Sequence, residues 1–283
     1  MLSRRLFLLQ LLFLLTACRA AEIDIGRLSI GVVSYGEGNR ALERFSTLRD
    51  YLAAQLKAVV DLEPAYNEVQ ALAQIKRRTW SLVFAPPGLA AIAIAEAQYL
   101  PLFPLEGLSK VRSVMLLLED SSIQNLNGLA GKVVALGQPG SATGYYLPIY
   151  NLYGLTLAEV RFAPTPKTML QWIADGEVVA GAMSLAEFER YRSEFAQTKF
   201  RILYLEKKEV PAGAVLAGPR IELNQLEQVR RALESAPPNM AAAAGYIPNA
   251  KSPDYKYLIE VVKRVRPIAE RIKQKPAPLY EMK

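Results

Sequence analysis

The segment Gly137-Gln138-Pro139-Gly140-Ser141-Ala142-Thr143-Gly144-Tyr145-Tyr146-Leu147-Pro148 carries the residues best suited to chemistry. It lies between the apolar run Lys132–Leu136, which predicts a strand, and a stretch from about Thr143 to Tyr153 that predicts a helix. Gly140 and Gly144 let the backbone approach a ligand closely, and free N–H groups at a helix start favour an anion. Ser141 and Thr143, separated by Ala142, add hydroxyl donors without adding charge. A plain turn with Thr143 as helix cap fits the same spacing equally well. Four other loops follow predicted strand ends: Tyr35-Gly36-Glu37-Gly38, Pro86-Pro87-Gly88, Thr165-Pro166-Lys167-Thr168 and Met183-Ser184. In an open α/β sheet such loops gather at the crevice where ligands bind. Tyr35 is expected to close over a ligand there, and Pro87 is a candidate contact from its own loop. Thr165, Thr168 and Ser184 offer hydroxyls and Lys167 a charge, although each also fits a cap, a turn or a solvated lysine.

Absent residue types narrow the chemistry. The 283 residues include no His and one Cys. Ser-His-Asp and Cys-His nucleophile systems, His-ligated zinc and imidazole acid/base catalysis are therefore excluded. One Cys makes neither an intramolecular disulfide nor a thiolate metal cluster. The expectation is a protein without catalytic residues, cofactor or metal.

The N-terminus reads as an export segment. Arg4 and Arg5 precede an apolar run, Leu6–Leu15, too short to span a bilayer. Leu15-Thr16-Ala17-Cys18 resembles the bacterial lipobox, in which the thiol receives diacylglycerol and the chain is cut before Cys18. The alternative is an ordinary signal peptide beside a free Cys. Ser3-Arg4-Arg5-Leu6-Phe7-Leu8 also resembles a twin-arginine motif, so the export route stays open between that and general secretion. Cleavage removes two arginines and no acid from a chain of formal charge +7. The modest surplus suits an anionic membrane surface or small anions and does not call for nucleic acid.

Strands and helices alternate along the rest. Strands are predicted at Leu28–Val33, Val59–Glu63 and Leu82–Ala85, with helices at about Arg40–Leu56, Glu68–Arg77 and Leu89–Ala97. The pattern restarts with strands at Val114–Leu118, Lys132–Leu136, Val160–Phe162 and Val178–Ala182, and helices at Thr168–Ala174 and Leu185–Phe195. A late strand, Ala214–Ala217, precedes helices near Leu223–Leu233 and Tyr255–Arg264. Such alternation predicts parallel sheets covered on both faces, in two lobes joined by a double crossover near Val114 and Val215. The expected division is a signal peptide at 1–17, lipidated Cys18 and linker at 18–27, one lobe from 28–112 plus 216–283, and a second from 113–215.

Two motifs resemble nucleotide sites. Gly128-Leu129-Ala130-Gly131-Lys132-Val133 lacks the spacing and the Ser/Thr of a phosphate loop and precedes a strand. Gly36-Glu37-Gly38-Asn39-Arg40-Ala41 follows a strand, opens a helix, and has Asp61 twenty residues beyond Ala41, which approximates a dinucleotide fingerprint. Glu37 would crowd a pyrophosphate. This leaves an exported NAD(P)-dependent oxidoreductase as a third functional class.

Ile30-Gly31-Val32-Val33-Ser34, Leu48-Arg49-Asp50-Tyr51-Leu52, Leu82-Val83-Phe84-Ala85-Pro86-Pro87, Leu126–Ala135 and Gly140-Ser141-Ala142-Thr143-Gly144-Tyr145 resemble the phosphate/phosphite/phosphonate-binding proteins of ABC transporters. The resemblance runs from about Leu28 to Arg220. It implies an α/β, two-lobed type 2 periplasmic-binding-protein fold with a cleft between lobes. It implies a small oxyanion held by the Ser/Thr-Gly loop, hinge closure, and delivery to an ABC permease. A family His falls at about Pro166, an acidic residue at Val179 and a Tyr at about Ala90, so an aminoalkylphosphonate is not expected. The function expected is a solute-binding lipoprotein held at the periplasmic face of a bacterial membrane through Cys18. The alternative is a receptor of the same fold that signals ligand occupancy to a membrane partner.

Overall fold

The computed structural model describes residues 26–33, 39–106 and 111–281. Cys18, Tyr35, the signal segment and Gly36–Gly38 lie outside the described residues.

Alternation of buried and exposed side chains makes Arg27–Val33 strand β1, with Leu28, Ile30 and Val32 inward. Helix α1 (Asn39–Leu56) buries Phe45, Leu48 and Leu52 at helical spacing. Next come β2 (Val59–Ala65), α2 (Glu68–Arg77), β3 (Leu82–Ala85), α3 (Pro87–Ala97) and β4 (Leu100–Pro104). The Asn67 side chain accepts the Gln70 N–H at 2.9 Å and starts α2, and Arg78, at φ 57°, ends it.

The second series is β5 (Ser113–Leu118), β6 (Val133–Leu136), a π-helical turn (Ala142–Tyr146) running into α4 (Leu147–Asn151), β7 (Thr156–Leu157), β8 (Glu159–Phe162), α5 (Pro166–Ala174), β9 (Ala180–Ser184), α6 (Leu185–Tyr191) and β10 (Phe200–Leu205). The chain then forms β11 (Ala214–Ala217), α7 (Leu223–Glu234), α8 (Pro238–Ala244), α9 (Lys256–Val265) and β12 (Ala277–Pro278).

Two five-stranded sheets result, ordered β2-β1-β3-β11-β4 and β10-β5-β9-β6-β8. They are mixed and not parallel throughout as expected. β1, β2 and β3 run parallel, as do β8, β6 and β9. β11 enters the first sheet antiparallel to β3 and β4, and β5 enters the second antiparallel to β9 and β10. The cause is the double crossover: strands arriving from the other lobe traverse their new sheet in the opposite sense. Two edge strands escape sequence patterning. β4 carries Pro101 and Pro104, which an edge tolerates, and β10 is half-exposed along its length.

The crossovers pair with each other, Val210 N–H donating to the Val111 carbonyl at 2.7 Å. Helix α9 lays Leu258, Val261, Val262 and Val265 against α3 of the first lobe and α4 of the second. β12 then pairs with β7 of the second lobe. One apolar cluster thus runs from Ala71, Ile75 and Leu89 through α9 to Tyr145, Tyr146 and Leu147. No helix among the described residues is long and apolar enough to cross a membrane.

Candidate functional site

The parallel strands β6, β8 and β9 send the loops after Leu136, Phe162 and Met183 to one edge of the second sheet. β3 sends Pro86-Pro87-Gly88 to the corresponding edge of the first. These edges meet at Gly88. A Cβ at position 88 would lie 2.1 Å from the Gly140 carbonyl oxygen and 2.6 Å from the Ala142 nitrogen, so only glycine permits the approach. Gly140, at φ +115°, faces Leu89 of α3 and Glu68 of α2.

The loop is held by its own polar groups. Ser141 Oγ accepts the Gly144 N–H at 3.0 Å, and its carbonyl accepts Tyr146 N–H at 3.1 Å to form the π turn. Gly137 N–H donates to the Gly144 carbonyl at 2.8 Å. Ser113 Oγ, buried at the start of β5, donates to the Thr143 carbonyl at 2.6 Å. Hence Ser141, and not Thr143, is the cap residue.

Two helix starts therefore converge, one from each lobe. Helix α3 begins with Pro87, whose nitrogen has no hydrogen, and Ala90 N–H is the first to reach a helical acceptor, the Pro86 carbonyl at 2.9 Å. The N–H groups of Gly88 and Leu89, and of Ala142 and Thr143 opposite, find no acceptor among the described residues. The Thr143 hydroxyl likewise makes no hydrogen bond among them. Both helix dipoles present their positive ends here, an arrangement suited to an anion. Tyr145 and Tyr146 beneath are buried, and burial pushes both phenols well above their ordinary range, so they stay neutral.

Other expected residues share this edge but are engaged in caps and ion pairs. Thr165 Oγ1 caps α5, accepting Thr168 N–H at 3.1 Å and meeting Thr168 Oγ1 at 2.9 Å. Ser184 is buried in a capping box, its Oγ accepting Glu187 N–H at 3.1 Å and donating to Glu187 Oε2 at 2.7 Å. Lys167 is paired with Glu194, which holds its ammonium above the usual lysine range. Val179 precedes β9 at the end opposite Ser184, about 17 Å away at strand rise, so a carboxylate there would not reach the loop. Asp61 pairs with Arg27 at 3.2 Å, near the start of β2 and far from the end of β1, which removes the dinucleotide reading of that acid.

Sequence reasoning missed Ser113 and Glu206. Glu206 sits in Glu206-Lys207-Lys208-Glu209, which reads as a solvated charge run, yet it is buried at the crossover. Its carboxylate accepts Asn151 Nδ2 at 2.8 Å and Lys208 N–H at 3.2 Å.

Two α/β lobes, paired crossovers and a junction of helix starts define a bilobed periplasmic binding protein. A family model described as "ABC transporter, phosphonate, periplasmic substrate-binding protein" matches residues 30–247, and the chain belongs to that family. Its members are solute-binding components of transporters and not an enzyme family. Among solved structures, XAC2383 from Xanthomonas citri bound to chloride superposes with a TM-score of 0.70 at 20% identity, over 85% of this chain and 99% of that one. PhnD1 from Prochlorococcus marinus in complex with methylphosphonate gives 0.63 at 18%, over 86% and 99%. A binding protein component of an ABC phosphonate transporter from Pseudomonas aeruginosa gives 0.62 at 13%, over 88% of each. No curated protein sequence matches the chain.

Proposed function

We propose that this chain binds a small oxyanion of the phosphonate, phosphite or phosphate type beside the junction of Pro87–Leu89 with Ser141–Thr143, and delivers it to an ABC permease while anchored by diacylglycerol on Cys18. The observation that carries this reading is the meeting of two helix starts with unpartnered N–H groups of Gly88, Leu89, Ala142 and Thr143. Two positive dipole ends in contact repel, and an anion lying against both offsets that repulsion. The donors come from both lobes, so the ligand would favour the closed arrangement of lobes by its differential affinity. Neutral donors bind an oxyanion without a buried cation to desolvate.

Isothermal titration of the mature chain with phosphite, methylphosphonate, phosphate and an alkylsulfonate tests it. Heat is expected for at least one phosphorus oxyanion, with about tenfold weaker binding in Thr143→Val, the loss of one hydrogen bond to a charged group. Silence across the panel would reject the oxyanion.

A further inference from the structure

We propose that the edge of the first sheet where β1 begins is a docking surface for an anionic lipid bilayer, opposite the edge that carries the ligand loops. The placement follows from register. Arg27 of β1 lies beside Val59 of β2, and Ala217, the last residue of β11, lies beside both Leu82, the first of β3, and Leu100, the first of β4. The starts of β1–β4, the end of α2 and the turn after β11 therefore share one edge. Hydrogen bonds tie it together: Ser29 Oγ to the Thr79 carbonyl at 3.0 Å, Gly218 N–H to the Ser81 carbonyl at 2.7 Å, and Arg220 Nη2 to the Arg77 carbonyl at 3.3 Å.

The edge is basic. Lys57, Arg77, Arg78 and Arg220 have no ion-pair partner among the described residues, and all but the half-buried Arg78 are exposed. The fields of Arg220 and Arg78 both reach the Tyr99 hydroxyl, although its burial still pushes that phenol up to about 12. The nearby acids Asp61, Glu63 and Glu96 are engaged, by Arg27 at 3.2 Å, by the Trp80 indole at 2.9 Å, and by Lys76 at 3.9 Å together with Arg266 at 4.0 Å. Glu222, exposed between Arg220 and Leu223, makes no ion pair among the described residues, and the four unpaired cations outweigh it. Helix dipoles account for cations at the ends of α1 and α2, but not for Arg220.

The edge is also apolar in a way that a solvated basic face is not. Leu223 is 80% exposed, Leu100 54% and Val59 42%. Val59 and Leu100 begin their strands at this edge. Leu223 begins α7 beside it, where Gln225 Nε2 would lie 3.1 Å from a Cβ on Gly26. Exposed aliphatic side chains among unpaired cations fit the headgroup boundary of an anionic membrane. The tether enters here as well: Gly26 follows Cys18 by eight residues, a reach of at most about 30 Å. In this last respect the inference rests on the anchored reading above.

The test uses the chain from residue 18 onward carrying Cys18→Ser, so that no lipid contributes. Cosedimentation is measured with phosphatidylglycerol and phosphatidylcholine vesicles at low salt. Binding only to phosphatidylglycerol is expected. Lys57→Gln with Arg77→Gln and Arg220→Gln should weaken it about a hundredfold, at roughly fivefold per basic residue near an anionic surface. Leu100→Ser with Leu223→Ser should weaken it at high salt too. A control triple of exposed lysines elsewhere, Lys132, Lys199 and Lys207 to Gln, should change it little. Equal binding to both vesicles, or equal loss in the two triples, would overturn the proposal. So would vesicle binding retained by the edge triple, the result expected if this edge serves a protein partner. The mass of Cys18-containing chain recovered from membranes reads the anchor separately. An unmodified thiol beside intact vesicle binding removes the anchor and leaves the surface.

Discussion

Glycines decide, residue by residue, how closely two pieces of backbone approach, and two of them separate stability from binding. A Cβ on Gly31 would strike the Trp80 ring at 2.2 Å, inside the first lobe. A Cβ on Gly88 would strike the Gly140 carbonyl at 2.1 Å, across the junction of lobes. Gly31→Ala is expected to lower unfolding free energy by about 1–3 kcal/mol, as overpacking does, and to leave ligand affinity unchanged. Gly88→Ala is expected to weaken ligand binding at least about tenfold, because backbone atoms oppose it and the lobes cannot seat. Denaturant melts and titration of both variants check the pair. Sequence alone marks both as glycines. Which contact each permits is a tertiary fact.

Helix caps are the next scale, and here local sequence rules had two readings open. Thr165 and Ser184 offer hydroxyls after strand ends, where a ligand donor and an N-cap look alike. The structure places both in caps, and Ser184 spends donor and acceptor on Glu187 three residues on. Ser184→Ala is expected to cost about 1 kcal/mol of stability with ligand affinity unchanged. A thermal melt paired with titration checks it, and a large loss of affinity at unchanged stability would return Ser184 to the ligand. The loop at 140–144 differs because its cap, Ser141, leaves the Ala142 and Thr143 N–H groups without acceptors among the described residues. Capping boxes are legible from four consecutive residues. An unpartnered donor is not, since it depends on everything that fails to reach it.

For the whole molecule, α9 joins what the two sheets divide. Leu258, buried between α3 and α4, lies in a cluster drawn from both lobes. Leu258→Ala is expected to cost about 2–5 kcal/mol and to lower the unfolding midpoints of both lobes together. The two tryptophans permit the measurement, since Trp80 lies in the first lobe and Trp172 on α5 in the second. Trp172→Phe leaves Trp80 fluorescence as a first-lobe reporter, to be compared with the circular dichroism of the whole chain. Separate transitions would mean that α9 does not couple the lobes.

The sequence by itself determined the order of the central strands and the longer helices, the two-lobed class and a glycine-rich loop at Gly140–Gly144, because apolar periodicity, glycine and short hydroxyl residues act through neighbours in the chain. It excluded imidazole catalysis outright, since no packing supplies a missing side chain. Only the tertiary structure decided the mixed sheets, the burial of Glu206, the capping roles of Thr165 and Ser184, and the pairing of Gly88 with Gly140. Each of these rests on contacts between segments far apart in sequence. Their geometry is set by how the crossovers and α9 bring two lobes together, and no local pattern records it.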